Sequence, residues 1–308
     1  MALLLFSPDD DLGAWRRELL ARRPGLDVRT WPDTGDPASI DAALVWLPPP
    51  GMLAGLPNLR AVLSLAAGVD AMLLDPTLPD LPLCRMVEPG LTRSMVEYVL
   101  LQALKYHRDL DTYAAQQRRA TWRLHLPRDA ADRTVGVMGL GVLGAEATAT
   151  LARHGFRTVG WSRTAEEVAG VETFAGSEGL GSSLAGLDIL VCLLPLTPET
   201  EGILDRDLFA RLPRGARLVN VARGRHLVER DLLDALDTGR LAHATLDVQR
   251  EEPLPPDHPF WRHPAVDLTP HAASYGLPSS GAELVVENLR RLDAGEPLLH
   301  VVDRGRGY

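Results

Sequence analysis

The chain has 308 residues, which at roughly 150 residues per domain sets an expectation of two domains with a cleft between them and excludes a peptide hormone or a mini-domain. Lys and Arg number 32 against 41 Asp and Glu, a formal charge of −9 that disfavours nucleic acid or an anionic membrane as a partner. Hydrophobic residues at 45% and charged residues at 24% belong to a globular chain that folds throughout. The two cysteines, Cys84 and Cys192, each lie in an apolar run; they read as buried reduced thiols, not as a disulfide framework, and point to the cytoplasm.

In chain order, the apolar opening Met1 to Phe6 lacks a basic leader and meets Asp9, Asp10 and Asp11 at once, so it reads as a first strand and not as a signal peptide. Short apolar runs then recur at Val28 to Trp31, Ala42 to Leu47, Ala61 to Leu65 and Pro82 to Val87. Between the first two runs, residues Asp11 to Arg22 put Leu12, Trp15, Leu19 and Leu20 on one helical face. This is a β/α alternation, and it predicts right-handed βαβ units and a parallel sheet. From Thr92 to Arg119 apolar residues recur at three- and four-residue steps, which predicts one long helix. A second alternation follows, with strands at Thr134 to Met138, Thr158 to Trp161, Asp188 to Leu194, Arg217 to Val221, Ala242 to Val248 and Val266 to Thr269. Helices are expected at Gly144 to His154 and Glu229 to Asp237, and a last one at about Ser279 to Leu292 would carry the chain back onto the first domain. No run reaches the 18 or so apolar residues that cross a bilayer.

The strongest local signal is Gly139-Leu140-Gly141-Val142-Leu143-Gly144, because it directly follows an apolar strand and opens a helix. In that context the first glycine allows the tight turn, the second lets the backbone approach a pyrophosphate, and the third packs helix against strand. The pyrophosphate would rest on the helix N-terminus. The next strand closes with Trp161-Ser162-Arg163-Thr164 and no acid before Glu166. An acid there would hold the 2′-hydroxyl of NAD and repel a 2′-phosphate; a cation between two hydroxyls predicts NADP(H) as the preferred cofactor, with NAD(H) as an alternative. Three further segments lie just past strand ends, where such sheets hold their ligands: Asn220-Val221-Ala222-Arg223-Gly224, the run from Asp247 to Pro255 with Glu252, and Thr269-Pro270-His271. His125, His243, His258 and His263 match no metal-ligand spacing, and no metal is expected.

The order of these turns resembles the D-isomer-specific 2-hydroxyacid dehydrogenases along essentially the whole chain. Leu44 to Trp46, Met52 to Gly55, Ala67 to Asp70, Trp161 to Thr164, Leu194 to Thr200 and the terminal Val302 to Tyr308 are similar to the glyoxylate/hydroxypyruvate reductase group within it. The resemblance implies two Rossmann-like or flavodoxin-like parallel-sheet domains with an interdomain active-site cleft. Residues 1–95 would be the substrate-binding domain, 96–282 the NADP-binding domain, and 283–308 a segment returning to the first. It implies reduction of a small 2-keto acid by hydride transfer, with His271 as general acid, Glu252 holding the imidazole, and Arg223 pairing with the substrate carboxylate. A carboxylate beside an imidazole stabilises its protonated form, and a guanidinium matches a planar carboxylate. The amides of Ala67 and Gly68 would take further substrate oxygens, with Trp46 on the pocket wall. Leu194, Pro195, Val221, Ala222 and Asp247 would join the glycine turn and Ser162 to Thr164 around the cofactor. The group tends to have His where Leu47 stands and an aromatic at Gln249, so the pocket wall departs from its pattern. The helix over 92–119 would lie at a homodimer interface, and Trp122 would either line the partner's substrate pocket or pack beneath its own loop. A noncatalytic nucleotide-binding sensor is the alternative on the same fold, although a sensor has no need to keep Arg223, Glu252 and His271 together.

Overall fold

The computed structural model describes residues 1–308. Contact density divides them into one unit of Met1–Leu91 with Tyr275–Tyr308 and a second of Thr92–Ser274; the sequence reading places the joins at 95/96 and 282/283. No helix is long and apolar enough to cross a membrane.

The first unit starts with β1 (Ala2–Phe6), α1 (Leu12–Arg22), β2 (Asp27–Thr30), β3 (Ala42–Val45), β4 (Ala61–Ser64), α2 (Asp70–Leu73) and β5 (Leu83–Cys84). Its five strands are all parallel in the order β2-β1-β3-β4-β5. Leu3, Leu4 and Leu5 are all buried, as expected for a central strand covered on both faces. Asp11 starts α1 by accepting the Ala14 amide at 2.9 Å, and Trp15 and Leu19, one turn apart, enter the core. Strand order reverses between β1 and β3, so the crevice above their carboxyl ends, and the loops after β3 and β4, is where such a sheet receives a ligand.

The chain continues into α3 (Pro89–His107), α4 (Leu110–Arg118), β6 (Thr134–Met138), α5 (Val142–Arg153), β7 (Arg157–Ser162), β8 (Glu172–Ala175), α6 (Gly176–Leu184), β9 (Ile189–Cys192), α7 (Arg206–Arg211), β10 (Ala216–Asn220), α8 (Glu229–Asp237), β11 (Leu241–Leu246), β12 (Val266–Leu268) and α9 (Pro278–Ala294). The single long helix expected over 92–119 is two helices. Asp109 between them takes φ +53°, a left-handed conformation that Asp tolerates, and its carboxylate accepts from Arg133 at 3.1 Å and Arg217 at 3.2 Å. The buried Glu88 carboxylate accepts the Gly90 and Leu91 amides at 2.5 and 2.6 Å, which fixes the start of α3.

The second sheet has seven parallel strands in the order β12-β11-β10-β9-β6-β7-β8. Its switch point lies between β6 and β9, so the glycine turn after β6 and the loops after β9, β10, β11 and β12 share one carboxyl edge. The last helix, α9, closes the first unit: Ala282, Val285 and Leu289 join Leu3, Leu5, Trp15 and Leu19 in one core. Gly281 permits this approach, since a Cβ there would stand 2.5 Å from the Trp15 ring.

Candidate active site

The turn between β6 and α5 is shaped by its glycines. Gly139 has φ +102°, and a Cβ on it would lie 2.6 Å from the Leu193 carbonyl oxygen. A Cβ on Gly144 would lie 1.8 Å from the Gly139 carbonyl oxygen, so no other residue lets α5 start here. Gly141 caps α5 without any side-chain acceptor, and a Cβ there would meet nothing within 4 Å. The first-turn amides at Val142, Leu143 and Gly144 therefore carry no side-chain cap, and Val142 is exposed. This is a cradle for an anion at a helix N-terminus. Leu140 points the other way, buried against β7.

At the end of β7, Trp161 is anchored by its indole N–H on the Gly176 carbonyl at 2.9 Å. The buried Ser162 hydroxyl donates to the Thr164 carbonyl at 2.7 Å, and Arg163 and Thr164 are exposed. Glu199, from the loop after β9, is held below the usual carboxylate range, first by a hydrogen bond from Thr197 and in part by the positive charge of Arg163. A guanidinium at this strand end and the absence of an acid between Trp161 and Thr164 fit a 2′-phosphate better than a bare ribose.

The β10 turn carries Arg223. Asn220 braces it, accepting the Ala222 amide at 3.2 Å and donating to the Arg223 carbonyl at 3.0 Å. The Arg223 guanidinium donates to the Ala222 carbonyl at 2.7 Å. Val221 and Ala222 are buried, and Gly224 packs so closely on the Gln249–Arg250 peptide that a Cβ would lie 1.8 Å from the Gln249 carbonyl carbon. The β10 and β11 turns are thus in direct contact.

From the β11 turn, Glu252 accepts the Gln249 amide at 2.8 Å with one oxygen and faces His271 Nδ1 at 2.8 Å with the other. Burial would raise the Glu252 carboxyl, but the hydrogen bonds from His271 and Gln249, with the charges of His271 and Arg223, outweigh it and hold the carboxyl below its ordinary value. Arg223, Glu252 and His271 are therefore within electrostatic reach of one another on one edge. With Nδ1 engaged by Glu252, the second nitrogen of His271, Nε2, is left for the proton-transfer role.

His271 takes φ +54°, and the loop that holds it there is organised by Asp247. Asp247 is 1% exposed; its carboxylate accepts from Thr269 Oγ1 at 2.5 Å and from the Ala272 and Ala273 amides at 2.8 and 2.9 Å, while its carbonyl accepts the His271 amide at 2.7 Å. Tyr98 completes the chain with its hydroxyl 2.6 Å from Thr269 Oγ1. Because Thr269 spends its proton on Asp247, Tyr98 donates, and burial pushes the phenol up to about 12, which keeps that proton in place. The Asp247 carboxylate that the sequence assigns to the cofactor's edge thus also holds the loop that carries the imidazole.

Leu194 and Pro195 lie after β9 on the same edge. In the first unit, Trp46 follows β3, and Ala67 and Gly68 follow β4, partly exposed. Trp122 joins none of these groups: it lies between α4 and β6 with its side chain fully exposed at 103%, so packing beneath its own loop does not occur. Sequence reasoning passed over Tyr98, Thr269 and above all His226. The last is a fully buried imidazole three residues after Arg223, between that residue's backbone and the turn after β9.

A dinucleotide turn, a phosphate-ready strand end and an imidazole–carboxylate pair beside an arginine, all on one sheet edge, define a nucleotide-dependent dehydrogenase. The family profile described as D-isomer specific 2-hydroxyacid dehydrogenase, NAD binding domain, matches residues 100–273. Glyoxylate/hydroxypyruvate reductase A of Yersinia enterocolitica is 42% identical over 314 aligned positions that span the whole of both chains. The D-isomer specific 2-hydroxyacid dehydrogenase from Xanthobacter autotrophicus Py2, solved with NADPH and MES, superposes with a TM-score of 0.96 at 46% identity, covering 100% of this chain and 99% of that one. The NADPH-dependent glyoxylate/hydroxypyruvate reductase from Sinorhizobium meliloti, solved with NADP and sulfate, gives 0.92 at 39% identity with the same coverage. This chain belongs to the D-isomer-specific 2-hydroxyacid dehydrogenase family.

Proposed function

We propose that this enzyme reduces small 2-keto acids of the glyoxylate and hydroxypyruvate type to 2-hydroxy acids, with NADP(H) as its preferred cofactor and NAD(H) as a weaker alternative. The observation that carries this reading is the 2.8 Å contact between His271 and Glu252 within the field of Arg223, on the edge that bears the dinucleotide turn. When bound, the reduced cofactor supplies the hydride. The α5 N-terminus, with Gly139 to Gly144, holds its pyrophosphate; Ser162, Arg163 and Thr164 hold the 2′-phosphate. Leu194, Pro195, Val221 and Ala222 line its path, and Asp247 shapes the wall beside its nicotinamide. Arg223 pairs with the substrate carboxylate and polarises the carbonyl. His271 gives the proton on Nε2 to the carbonyl oxygen as it gains negative charge, and Glu252 stabilises the imidazolium before that transfer. The enzyme works in the cytoplasm as a homodimer, in keeping with two buried free thiols and the exposed apolar residues around Trp122.

The test is oxidation of NADPH and NADH against a panel of 2-keto acids. Turnover of glyoxylate and hydroxypyruvate with NADPH is expected, and His271→Ala lowers kcat by roughly 10² to 10⁴, the worth of a positioned general acid, with NADPH affinity unchanged. Cofactor binding without reduction of any keto acid would leave the noncatalytic sensor as the correct reading.

A further inference from the structure

His226 is 0% exposed and bridges two turns. Its Nε2 lies 3.2 Å from the Pro195 carbonyl oxygen, an atom that can only accept, so Nε2 carries the proton. Its Nδ1 lies 3.2 Å from the Arg223 amide nitrogen and 3.1 Å from the Arg223 carbonyl oxygen. That oxygen already accepts from Asn220 Nδ2 at 3.0 Å and from the His226 amide at 3.2 Å, which uses both of its lone pairs. Nδ1 therefore accepts the Arg223 N–H. The ring is neutral, with one nitrogen taking a proton from the turn that bears Arg223 and the other giving one to the turn after β9.

A buried imidazole with both nitrogens committed in fixed directions orients whatever it binds. Here that is the backbone of Arg223, in extended conformation at φ −143° and ψ 147°, from which the guanidinium projects. The turns are also tied independently of the ring: the Gly202 and Leu204 amides donate to the Arg225 and His226 carbonyls at 3.0 and 2.9 Å, and Arg225 forms a two-point ion pair with Glu201 at 2.8 and 3.2 Å. Changing the ring thus leaves the turns joined while releasing the Arg223 amide.

We propose that His226 is a positioning residue that aims Arg223 at the substrate carboxylate by accepting its amide N–H at Nδ1. The inference rests on the reading of Arg223 as the carboxylate clamp. It is tested with His226→Gln, which keeps an N–H near the place of Nε2 and loses the acceptor at Nδ1, and His226→Asn, which puts an acceptor oxygen near the place of Nδ1 and loses the reach to Pro195. Arg223→Ala is assayed beside them. His226→Gln is expected to raise KM for glyoxylate about tenfold, equivalent to ~1.4 kcal/mol, with NADPH Kd close to wild type and a lower Tm because the Arg223 N–H loses its acceptor; His226→Asn, which keeps that acceptor, keeps KM near wild type. An unchanged KM in His226→Gln, where Arg223→Ala raises it, overturns the positioning role alone. Equal losses of Tm and NADPH binding in both His226 variants overturn it in favour of packing. An unchanged KM in Arg223→Ala overturns the clamp reading, and the inference with it.

Discussion

At the scale of single residues, the site depends on one strained position. A non-glycine residue at φ +54° costs on the order of 1 kcal/mol or more, and His271 is kept there because Asp247 holds its amide and the two amides that follow it. Held in that conformation, the ring meets Glu252 at Nδ1. The depressed Glu252 carboxyl has a definite sign: the group stays charged as pH falls through the ordinary carboxylate range, so its pairing with His271 is present above that range and is lost only below it. Around neutrality the pair is intact, and Glu252→Gln removes the charge that favours imidazolium. The alkaline limb of kcat for keto-acid reduction should then move to lower pH, read from pH–rate profiles at saturating substrate; an unmoved limb would mean that Glu252 orients the ring without charging it. At the other end of the cofactor site, Arg163 is exposed and its loss should touch binding alone. Arg163→Ala should weaken NADPH roughly 10- to 100-fold, the range for a hydrogen bond to a charged group, and leave NADH nearly unaffected. Equal losses for both cofactors, measured by titration, would assign Arg163 to the fold.

At the scale of elements, the break between α3 and α4 shows a long-range cause for a local feature. Apolar spacing continues through His107 to Tyr113, and no glycine or proline interrupts it, so periodicity reads one helix. The left-handed turn at Asp109 is secured by Arg133, on the approach to β6, and by Arg217 on β10, partners that local sequence does not reveal. Arg217 also pairs with the buried Asp111 at 3.0 Å, so Arg217→Ala leaves a carboxylate buried without its partner. That should cost about 3–5 kcal/mol, visible as a lower denaturant midpoint, while Arg217→Lys recovers part of it. A loss under 1 kcal/mol would show that water replaces the guanidinium. The buried parallel strands were legible because they read as continuous apolar runs ended by turn residues, and the catalytic turns were legible because they follow those runs. β8, a half-buried edge strand, and α6, with glycines at 176, 179 and 181, lack both signals. His226 escaped because its meaning comes from Pro195, 31 residues away.

At the scale of the whole molecule, the three most exposed large hydrophobics, Trp122, Leu124 and Leu126, fall together in one stretch of sequence. Leu101, Leu104 and Leu110 on α3 and α4, and Trp122, Leu124 and Leu126 beyond them, are all exposed large hydrophobics. Scattered exposed leucines are ordinary, but several on successive segments mark an association surface, and a tryptophan with no packing of its own is the kind of side chain that dominates interfaces. A twofold pair of identical chains is the commonest way to cover such a surface. Sedimentation or light scattering should therefore give a dimer at micromolar concentration, and the pair Leu124→Asp with Leu126→Asp should shift it toward monomer by placing charges where apolar side chains are covered. The role of Trp122 separates from dimerisation by kinetics. If its ring borders the partner's substrate pocket, Trp122→Ala should change KM for hydroxypyruvate while the protein remains dimeric. A dimer whose KM and kcat are both unaffected by Trp122→Ala removes the tryptophan from the pocket and leaves it in the interface, whereas a fully active wild-type monomer at that concentration removes the interface and the shared pocket together.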